Sequence, residues 1–148
     1  MKKRLVIIGY YIPGIYPPGR DDVEFNLLAP AYLKAAVDSD PDLSAKYDTV
    51  ILNVPTNAKD EDVIKQINEH DPEVVMYSVY IWNYSYVERN TSILKNLRPN
   101  THAIWGGPQV TYSAEEVLRD NPQCDVVIKG NGEVVLKMLL NTDLSPDS

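Results

Sequence analysis

Glycines, aromatic rings and a serine directly follow three apolar runs of this 148-residue chain. The three segments read Ser78-Val-Tyr-Ile-Trp-Asn83, Gly106-Gly-Pro-Gln-Val-Thr111 and Lys129-Gly-Asn-Gly-Glu133. Residues without a Cβ let a flat ligand lie against the backbone, aromatic rings can form a wall beside it, and a serine hydroxyl can hydrogen-bond to it. These residue types therefore indicate binding of a planar molecule.

Each of these features also has a purely structural interpretation. Gly106 and Gly107 can form a turn after a strand, Tyr80 and Trp82 can be core aromatics under a loop, and Ser78 can cap a helix or turn. Their conjunction favours binding, because the ends of parallel strands would collect all of them on one edge of a sheet.

Several other chemistries do not match the residues at these positions. Gly9 precedes two tyrosines rather than a G-x-G-x-x-G motif, and the chain contains no G-x-x-x-x-G-K-[ST] sequence. A receiver domain would need an aspartate where Ser78 stands. His70 and His102 have no partner at metal-ligand spacing, and Cys124 has no second cysteine. No complete catalytic arrangement is visible, and no metal site is expected.

Five apolar runs rich in Val and Ile must position these segments. They span residues 4–8, 49–53, 74–78, 103–105 and 125–128. Continuous apolarity is typical of strands that are buried on both faces, as in parallel sheets covered by helices. Alternation with helical segments predicts a doubly wound, five-stranded, Rossmann-like or flavodoxin-like α/β sheet of order 2-1-3-4-5. Helices are expected on both faces.

Local signals place the helices between these strands. Pro30 falls in the first turn of the first helix, where its missing N–H costs little. The acidic Asp60-Glu-Asp62 favours the start of the second, and the third runs over 84–97. Ser113-Ala-Glu-Glu116 is interpreted as a capping box for the fourth, and the fifth begins after Gly132.

Composition predicts one domain, residues 1–140, followed by a polar tail or start of a linker at 141–148. The net charge of -7 disfavours nucleic acid as a partner. The longest apolar run is far below the roughly 20 residues that cross a bilayer, and the basic N-terminus lacks a cleavage site, so no membrane partner is expected. One cysteine excludes an internal disulfide and makes the cytoplasm the expected location.

The strand-end motifs resemble the cobalamin (vitamin B12)-binding domain at the N-terminus of cobalamin-dependent radical S-adenosylmethionine (SAM) enzymes. The matching segments follow the family's order and spacing over roughly residues 4–140. They are Pro30-Ala-Tyr-Leu-Lys-Ala-Ala36, Tyr77-Ser-Val-Tyr-Ile-Trp-Asn83, Ile104-Trp-Gly-Gly-Pro-Gln-Val-Thr111 and Asp125-Val-Val-Ile-Lys-Gly-Asn-Gly-Glu133. The resemblance implies a corrin ring over the C-terminal edge of the sheet, with its nucleotide tail threaded beside strands 3 and 4.

The resemblance also implies roles for individual residues. Ser78 and Tyr80 would line the tail channel, while Trp82 and the loop from Tyr10 to Ile15 would face the corrin from below. The glycines of the fourth and fifth loops would let the cofactor approach. The complete set of implied cofactor-binding residues is Tyr10, Tyr11, Ile12, Pro13, Ser78, Tyr80, Trp82, Asn83, Gly106, Gly107, Pro108, Val110, Gly130, Gly132 and Glu133.

Three departures from the family pattern change what is expected. The first loop lacks the Asp-x-His-x-x-Gly motif of many cobalamin domains, so we expect no protein histidine on cobalt. Asn131 replaces the glutamate of a common Gly-Glu-Gly-Glu motif. No Cys-x-x-x-Cys-x-x-Cys sequence occurs, so an iron–sulfur cluster and SAM are expected only in a missing downstream domain of a methyltransferase-type parent enzyme. The alternative is that the chain is a free-standing binding module. The 148 residues alone are expected to have no turnover.

Two other functions remain open from the sequence. One is a cofactor-free, flavodoxin-like interaction or sensory domain whose aromatic edge binds a protein. The other is a small nucleotide-sugar or carrier-binding enzyme on the same fold, which the absence of an acid–base pair disfavours.

Overall fold

The computed structural model describes residues 1–14, 28–142 and 144. The prediction made for Ile15, and those made for most of the 141–148 tail, lie outside the described residues. Within them, the elements alternate between strands and helices as predicted. The strands are β1 Lys3–Tyr11, β2 Tyr47–Pro55, β3 Val74–Ser78, β4 His102–Gly106 and β5 Val126–Val127. The helices are α1 Leu28–Asp38, α2 Pro41–Lys46, α3 Asp60–Glu69, α4 Tyr84–Leu97, α5 Pro108–Thr111, α6 Ala114–Asp120 and α7 Gly132–Leu140.

The sheet has the order β2-β1-β3-β4-β5, and every neighbouring pair is parallel. This confirms the predicted architecture. The strand order reverses direction between β1 and β3, which places the crevice at their C-terminal ends. No helix in the described part of the chain is both long and apolar enough to span a bilayer.

Alternate side chains of each strand form two cores on opposite faces of the sheet. One core, called here the α1/α7 face, combines strand residues with helix residues: Leu5, Ile7, Met76, Ile104, Leu33 and Leu136. The other, called the α3/α4 face, does the same: Val6, Ile8, Tyr77, Trp105, Ile67 and Leu94. Burial on both faces is the reason that the strands read as continuous apolar runs.

Two short helices and one cap differ from the predictions. The helix α2 begins after Asp40, whose carboxylate accepts hydrogen bonds from the backbone N–H groups of Asp42 and Leu43, both at 3.1 Å. The helix α5 is a single turn directly after β4. The Ser113 capping box is wrong. Ser113 precedes α6 without a side-chain cap, because its hydroxyl instead donates to the Gln109 carbonyl of α5 at 3.5 Å.

Candidate functional site

Three residues with small side chains lie in a row across the C-terminal edge of the sheet. Ser78 and Gly106 are register partners on β3 and β4. Gly9 on β1 lies one position beyond Ile8, which pairs with Tyr77 of β3. The alternation of the strands puts all three on the α1/α7 face. In this small-residue row, Gly9–Ser78–Gly106, no strand position carries a side chain larger than that of serine.

A pocket of about 150 Å³ opens over the Gly9 and Ser78 part of this row. Its lining combines the start of α1 with the loops after β1 and β3: Gly9, Tyr10, Leu28, Ala29, Pro30, Ser78, Tyr80 and Trp82. Ser78 is only 6% exposed, and none of the described residues hydrogen-bonds to its hydroxyl. A single polar group in an apolar pocket is a common arrangement in ligand sites, where it orients the ligand.

Tyr80 and Trp82 form a stacked aromatic pair at the mouth of this pocket. Their ring centroids are 5.5 Å apart and their planes differ by 12°. Trp82 remains 39% exposed, so the pair presents a flat apolar surface to solvent. Rings arranged in this way can contact a planar ligand.

Asn83 holds the turn that carries these rings. Its side chain is fully buried, accepts a hydrogen bond from the Tyr80 N–H at 2.7 Å and donates one to the Ser78 carbonyl at 2.9 Å. Asn83 therefore supports the site from within the fold, whereas the resemblance implied a cofactor contact.

Gly107 also serves the chain itself. Its φ of +112° is unfavourable for L side chains, and a Cβ there would lie 2.6 Å from the Val79 carbonyl oxygen and 2.9 Å from the Val79 nitrogen. Val79 in turn donates to the Gly106 carbonyl at 2.7 Å and accepts from the Gln109 N–H at 3.2 Å. The space that the sequence interpretation gave to a ligand is thus occupied by Val79. Gly107 joins the third and fourth loops.

Two further residues of the implied set lie in the α3/α4 core. Tyr10 is 2% exposed, stacks on Tyr86 and accepts a hydrogen bond from the Asn90 amide at 2.5 Å. Burial raises the pKa of Tyr10 far above its ordinary value. Val110 is completely buried. Their side chains support the edge, while Tyr11, Ile12 and Pro13 extend beyond it with partly or fully exposed side chains.

The fifth loop lies beside α1. Gly130 has a φ of +73° and open space around the position of a Cβ. Gly132 begins α7, where a Cβ would lie 3.3 Å from a methyl carbon of Leu33, so this glycine lets α1 and α7 approach. Asn131 caps α7 by accepting hydrogen bonds from the N–H groups of Glu133 and Val134 at 3.1 and 3.4 Å. The departure from the family motif at Asn131 therefore has a local structural reason. Glu133 is half-buried and Pro108, at the start of α5, is exposed.

In the described ranges, the His, Cys, Asp and Glu residues form no group that could hold a metal ion. His70 lies 3.2 Å from the Arg4 guanidinium and His102 begins β4, so both are at the N-terminal edge, away from the pocket. Burial raises the pKa of Cys124 to about 12, which keeps its thiol protonated and unreactive.

Sequence reasoning missed Asn53, which continues the small-residue row onto β2. It is the register partner of Gly9, and its Oδ1 is buried with no hydrogen-bond partner among the residues that the structure describes. The signal in the sequence is one polar residue, Asn53, at the end of an otherwise apolar run.

The sequence matches the family model of the B12 binding domain over residues 28–140. The chain belongs to the B12-binding domain family. This B12-binding domain is 28% identical over 134 residues to the cobalamin-dependent radical SAM methyltransferase TokK of Streptomyces tokunonensis, covering 88% of the chain and 19% of TokK. The resemblance inferred from the strand-end motifs is thus confirmed.

Two further proteins are similar to this B12-binding domain. The 2-(S-pantetheinyl)-carbapenam-3-carboxylate methyltransferase of Streptantibioticus cattleyicolor is 27% identical over 126 residues, which cover 85% of the chain and 18% of that enzyme. A cobalamin-binding protein from Desulfitobacterium hafniense DCB-2 superposes with a TM-score of 0.58 at 18% identity, covering 92% of the chain and 56% of that protein. This last likeness shows the shared fold. The chain spans about a fifth of the length of the two methyltransferases.

Proposed function

We propose that this domain binds cobalamin at the C-terminal edge of its sheet. The corrin ring would lie across the small-residue row, and the nucleotide tail would enter beside Ser78, between the sheet and helices α1 and α7. The observation that carries this proposal is the row Gly9–Ser78–Gly106, together with the Ser78 hydroxyl that lacks a partner within the described chain. Backbone without side chains admits a bulky group, and the hydroxyl can hydrogen-bond to it.

The pocket volume defines what must move for the tail to enter. A cavity of about 150 Å³ is smaller than the roughly 300–1,000 Å³ of typical ligand sites. Below it, Leu33 lies close to Gly132, and the Met76 Cε lies 3.1 Å from the position of a Gly106 Cβ. Both obstructions are ends of flexible side chains, and methionine adapts readily to a new shape. We expect Leu33 and Met76 to change rotamer when the tail enters.

The residues around the row fit the remainder of the cofactor. The stacked rings of Tyr80 and Trp82 offer an apolar wall for the lower face of a corrin. The chain's histidines, His70 and His102, both lie at the opposite edge, which supports the prediction that no protein imidazole binds cobalt. Bound cobalamin would supply a cobalt centre that can carry a methyl group, and the protein would bind and orient it.

The relatives support a proposal for the whole enzyme. A cobalamin-dependent radical SAM methyltransferase contains a region similar to this chain, which covers about a fifth of its length. We infer that this domain belongs to an enzyme of that type, with the iron–sulfur cluster and SAM held by another domain, because one cysteine is too few for a cluster. The same cysteine count supports the predicted cytoplasmic location.

Loading the 148-residue chain with hydroxocobalamin tests the proposal. After gel filtration, the protein fraction should retain the cofactor's visible absorption in a ratio near one to one. Ser78→Val fills the row and removes the hydroxyl, and should weaken binding at least tenfold in an absorbance titration. Ser39→Val, an exposed position after α1, is the matched control and should bind like the wild type. A colourless wild-type fraction would contradict the proposal.

Exposed apolar residues near the same edge favour a protein surface as a second candidate function. Ile81 is 81% exposed and Tyr112, which follows α5, is 94% exposed. If the domain binds a protein partner in a pull-down and the absorption spectrum of added cobalamin does not change, an interaction or sensory domain would be favoured instead.

A further inference from the structure

Asn53 carries a hydrogen-bonding group that the described chain leaves unused. Its Oδ1 is buried without a hydrogen-bond partner in the described ranges, although the residue as a whole is only part-buried. A buried acceptor without a partner destabilises a fold, and such groups in native structures have a specific explanation. A hydrogen bond to a ligand would be one explanation.

The position of Asn53 points to the same site as the small-residue row. Its neighbours along β2, Leu52 and Val54, pack in the α3/α4 core, so the Asn53 side chain faces α1. Its register partner Gly9 has no side chain to separate it from the row. Near the C-terminal ends of the adjacent strands β2, β1, β3 and β4, the residues on the α1/α7 face are therefore Asn53, Gly9, Ser78 and Gly106 in that order.

Strand spacing decides which part of a cofactor Asn53 could reach. Neighbouring strands lie about 4.8 Å apart, so Asn53 is roughly 10 Å from Ser78 and the whole row spans roughly 14 Å. A tail that descends beside Ser78 runs along the strands and passes Asn53 at a distance. A tetrapyrrole-sized ring that lies across the strands extends sideways over it. The rim of cobalamin's corrin carries primary amide side chains, which both donate and accept hydrogen bonds.

We infer that Asn53 holds the rim of the corrin ring through a hydrogen bond between its side-chain amide and a ring carboxamide. This inference rests on the proposed cobalamin binding. It assigns the two polar groups of the row to different parts of one ligand, with Ser78 at the tail and Asn53 at the ring.

Thr49 provides a matched control on the same strand. It lies on the same face of β2, is 5% exposed, and its Oγ1 is also buried with no partner in the part of the chain that the structure describes. Four residues separate it from Asn53, about 13 Å along the strand and away from the C-terminal edge. Replacing either residue with an apolar one of similar size removes an unpaired buried polar group, but only Asn53 lies at the proposed site.

The experiment compares Asn53→Leu with Thr49→Val and Ser78→Val. Melting temperature is measured without ligand, and dissociation constants are measured for hydroxocobalamin and for cobinamide, which keeps the ring amides and lacks the nucleotide tail. Both β2 variants should melt slightly higher than the wild type. Asn53→Leu should weaken both corrinoids about tenfold, and Thr49→Val should weaken neither. Ser78→Val should weaken cobalamin more than cobinamide, because Ser78 lies both under the proposed ring and beside the proposed path of the tail.

The outcomes separate this inference from the proposed function. A wild-type chain that binds neither corrinoid overturns the proposed function. A wild-type chain that binds both, with Asn53→Leu binding equally well, overturns only the role of Asn53. Weakening of cobalamin but not cobinamide by Asn53→Leu also overturns it, because Asn53 would then contact the tail. If Asn53→Leu does not fold, Asn53→Ala is measured in the same way and should show the same loss.

Discussion

Two places on the sheet, the groove around Arg98 at the N-terminal edge and the ends of β2 and β3 at the C-terminal edge, differ in how their polar groups are paired. At the N-terminal edge, the Arg98 guanidinium donates to Asn68 at 2.9 Å, to Thr101 at 3.1 Å and to the Pro72 carbonyl at 3.4 Å, and it pairs with Asp71. At the C-terminal edge, the Asn53 Oδ1 is buried with no partner within the described residues, and Ser78 takes part in the hydrogen bonds of the described side chains through its carbonyl, which accepts from Asn83.

This contrast supports the proposed binding edge, whereas cavity size alone would favour the other edge. The groove around Arg98 has a volume of about 500 Å³, against about 150 Å³ for the pocket at Ser78. The lining of the larger groove is nevertheless occupied by hydrogen bonds and an ion pair within the chain, so it offers little to a ligand. The exposed ring of Trp82 and the polar Ser78 in the lining of the smaller pocket support the proposal that cobalamin binds there.

Substitution of Gly107 should give the largest loss in the free energy of unfolding. It tests whether the contact between Gly107 and Val79 makes part of the C-terminal edge rigid. Gly107→Ala forces a Cβ against the Val79 backbone at a φ of +112°, so the free energy of unfolding should fall by at least about 3 kcal/mol. Gly130→Ala, with φ +73° and open space, should cost only about 1 kcal/mol. Urea denaturation measures both. Equal losses of stability in the two variants would show that the Val79 backbone moves to make room for the Cβ. The contact between the loops after β3 and β4 would then not be rigid.

A pair of substitutions, one at each edge, separates stability from binding. Arg98→Ala removes several hydrogen bonds and should lower the free energy of unfolding by about 1–2 kcal/mol while leaving the cobalamin dissociation constant unchanged. Trp82→Ala removes a part-exposed ring and should weaken cobalamin binding about tenfold, with less than about 1 kcal/mol lost in stability. If Arg98→Ala weakens binding as much as Trp82→Ala does, the division of roles between the edges is wrong.

The smallest expected effect is on the pH dependence of stability, and it comes from Asp40, which lies outside the proposed site. Hydrogen bonds, first from the Leu43 N–H and then from Lys137, lower the pKa of Asp40 below its ordinary value of 3.8. A lowered pKa in the folded state stabilises the protein above pH 3.8, and that contribution disappears as the pH falls through the folded-state pKa. Asp40→Asn should therefore be slightly less stable at neutral pH, with the gap closing in acid. Urea midpoints between pH 7 and pH 3 measure it, and cobalamin binding at pH 7 should not change.

Much of the scaffold follows from local pattern. The Val- and Ile-rich runs, the acidic start of α3 and Pro30 in the first turn of α1 are short-range signals. Their alternation predicts a parallel, doubly wound sheet, for which β2-β1-β3-β4-β5 is one of the common orders. The Ser113 capping box failed because the carbonyl of Gln109, placed by the unexpected helix α5, competes for the same hydroxyl. This competition for the Ser113 hydroxyl depends on the position of α5, which no local sequence motif predicts.

The sequence by itself determined that small residues and rings follow the strands, since strand periodicity and turn residues are local properties of the chain. Only the tertiary structure decided what each does. It packs Val79 against Gly107, turns Tyr10 into the α3/α4 core, buries Asn83 behind the rings and brings Asn53 level with Gly9 and Ser78. Strand register and the close approach of distant backbone segments set these contacts, and both arise only when the sheet is assembled.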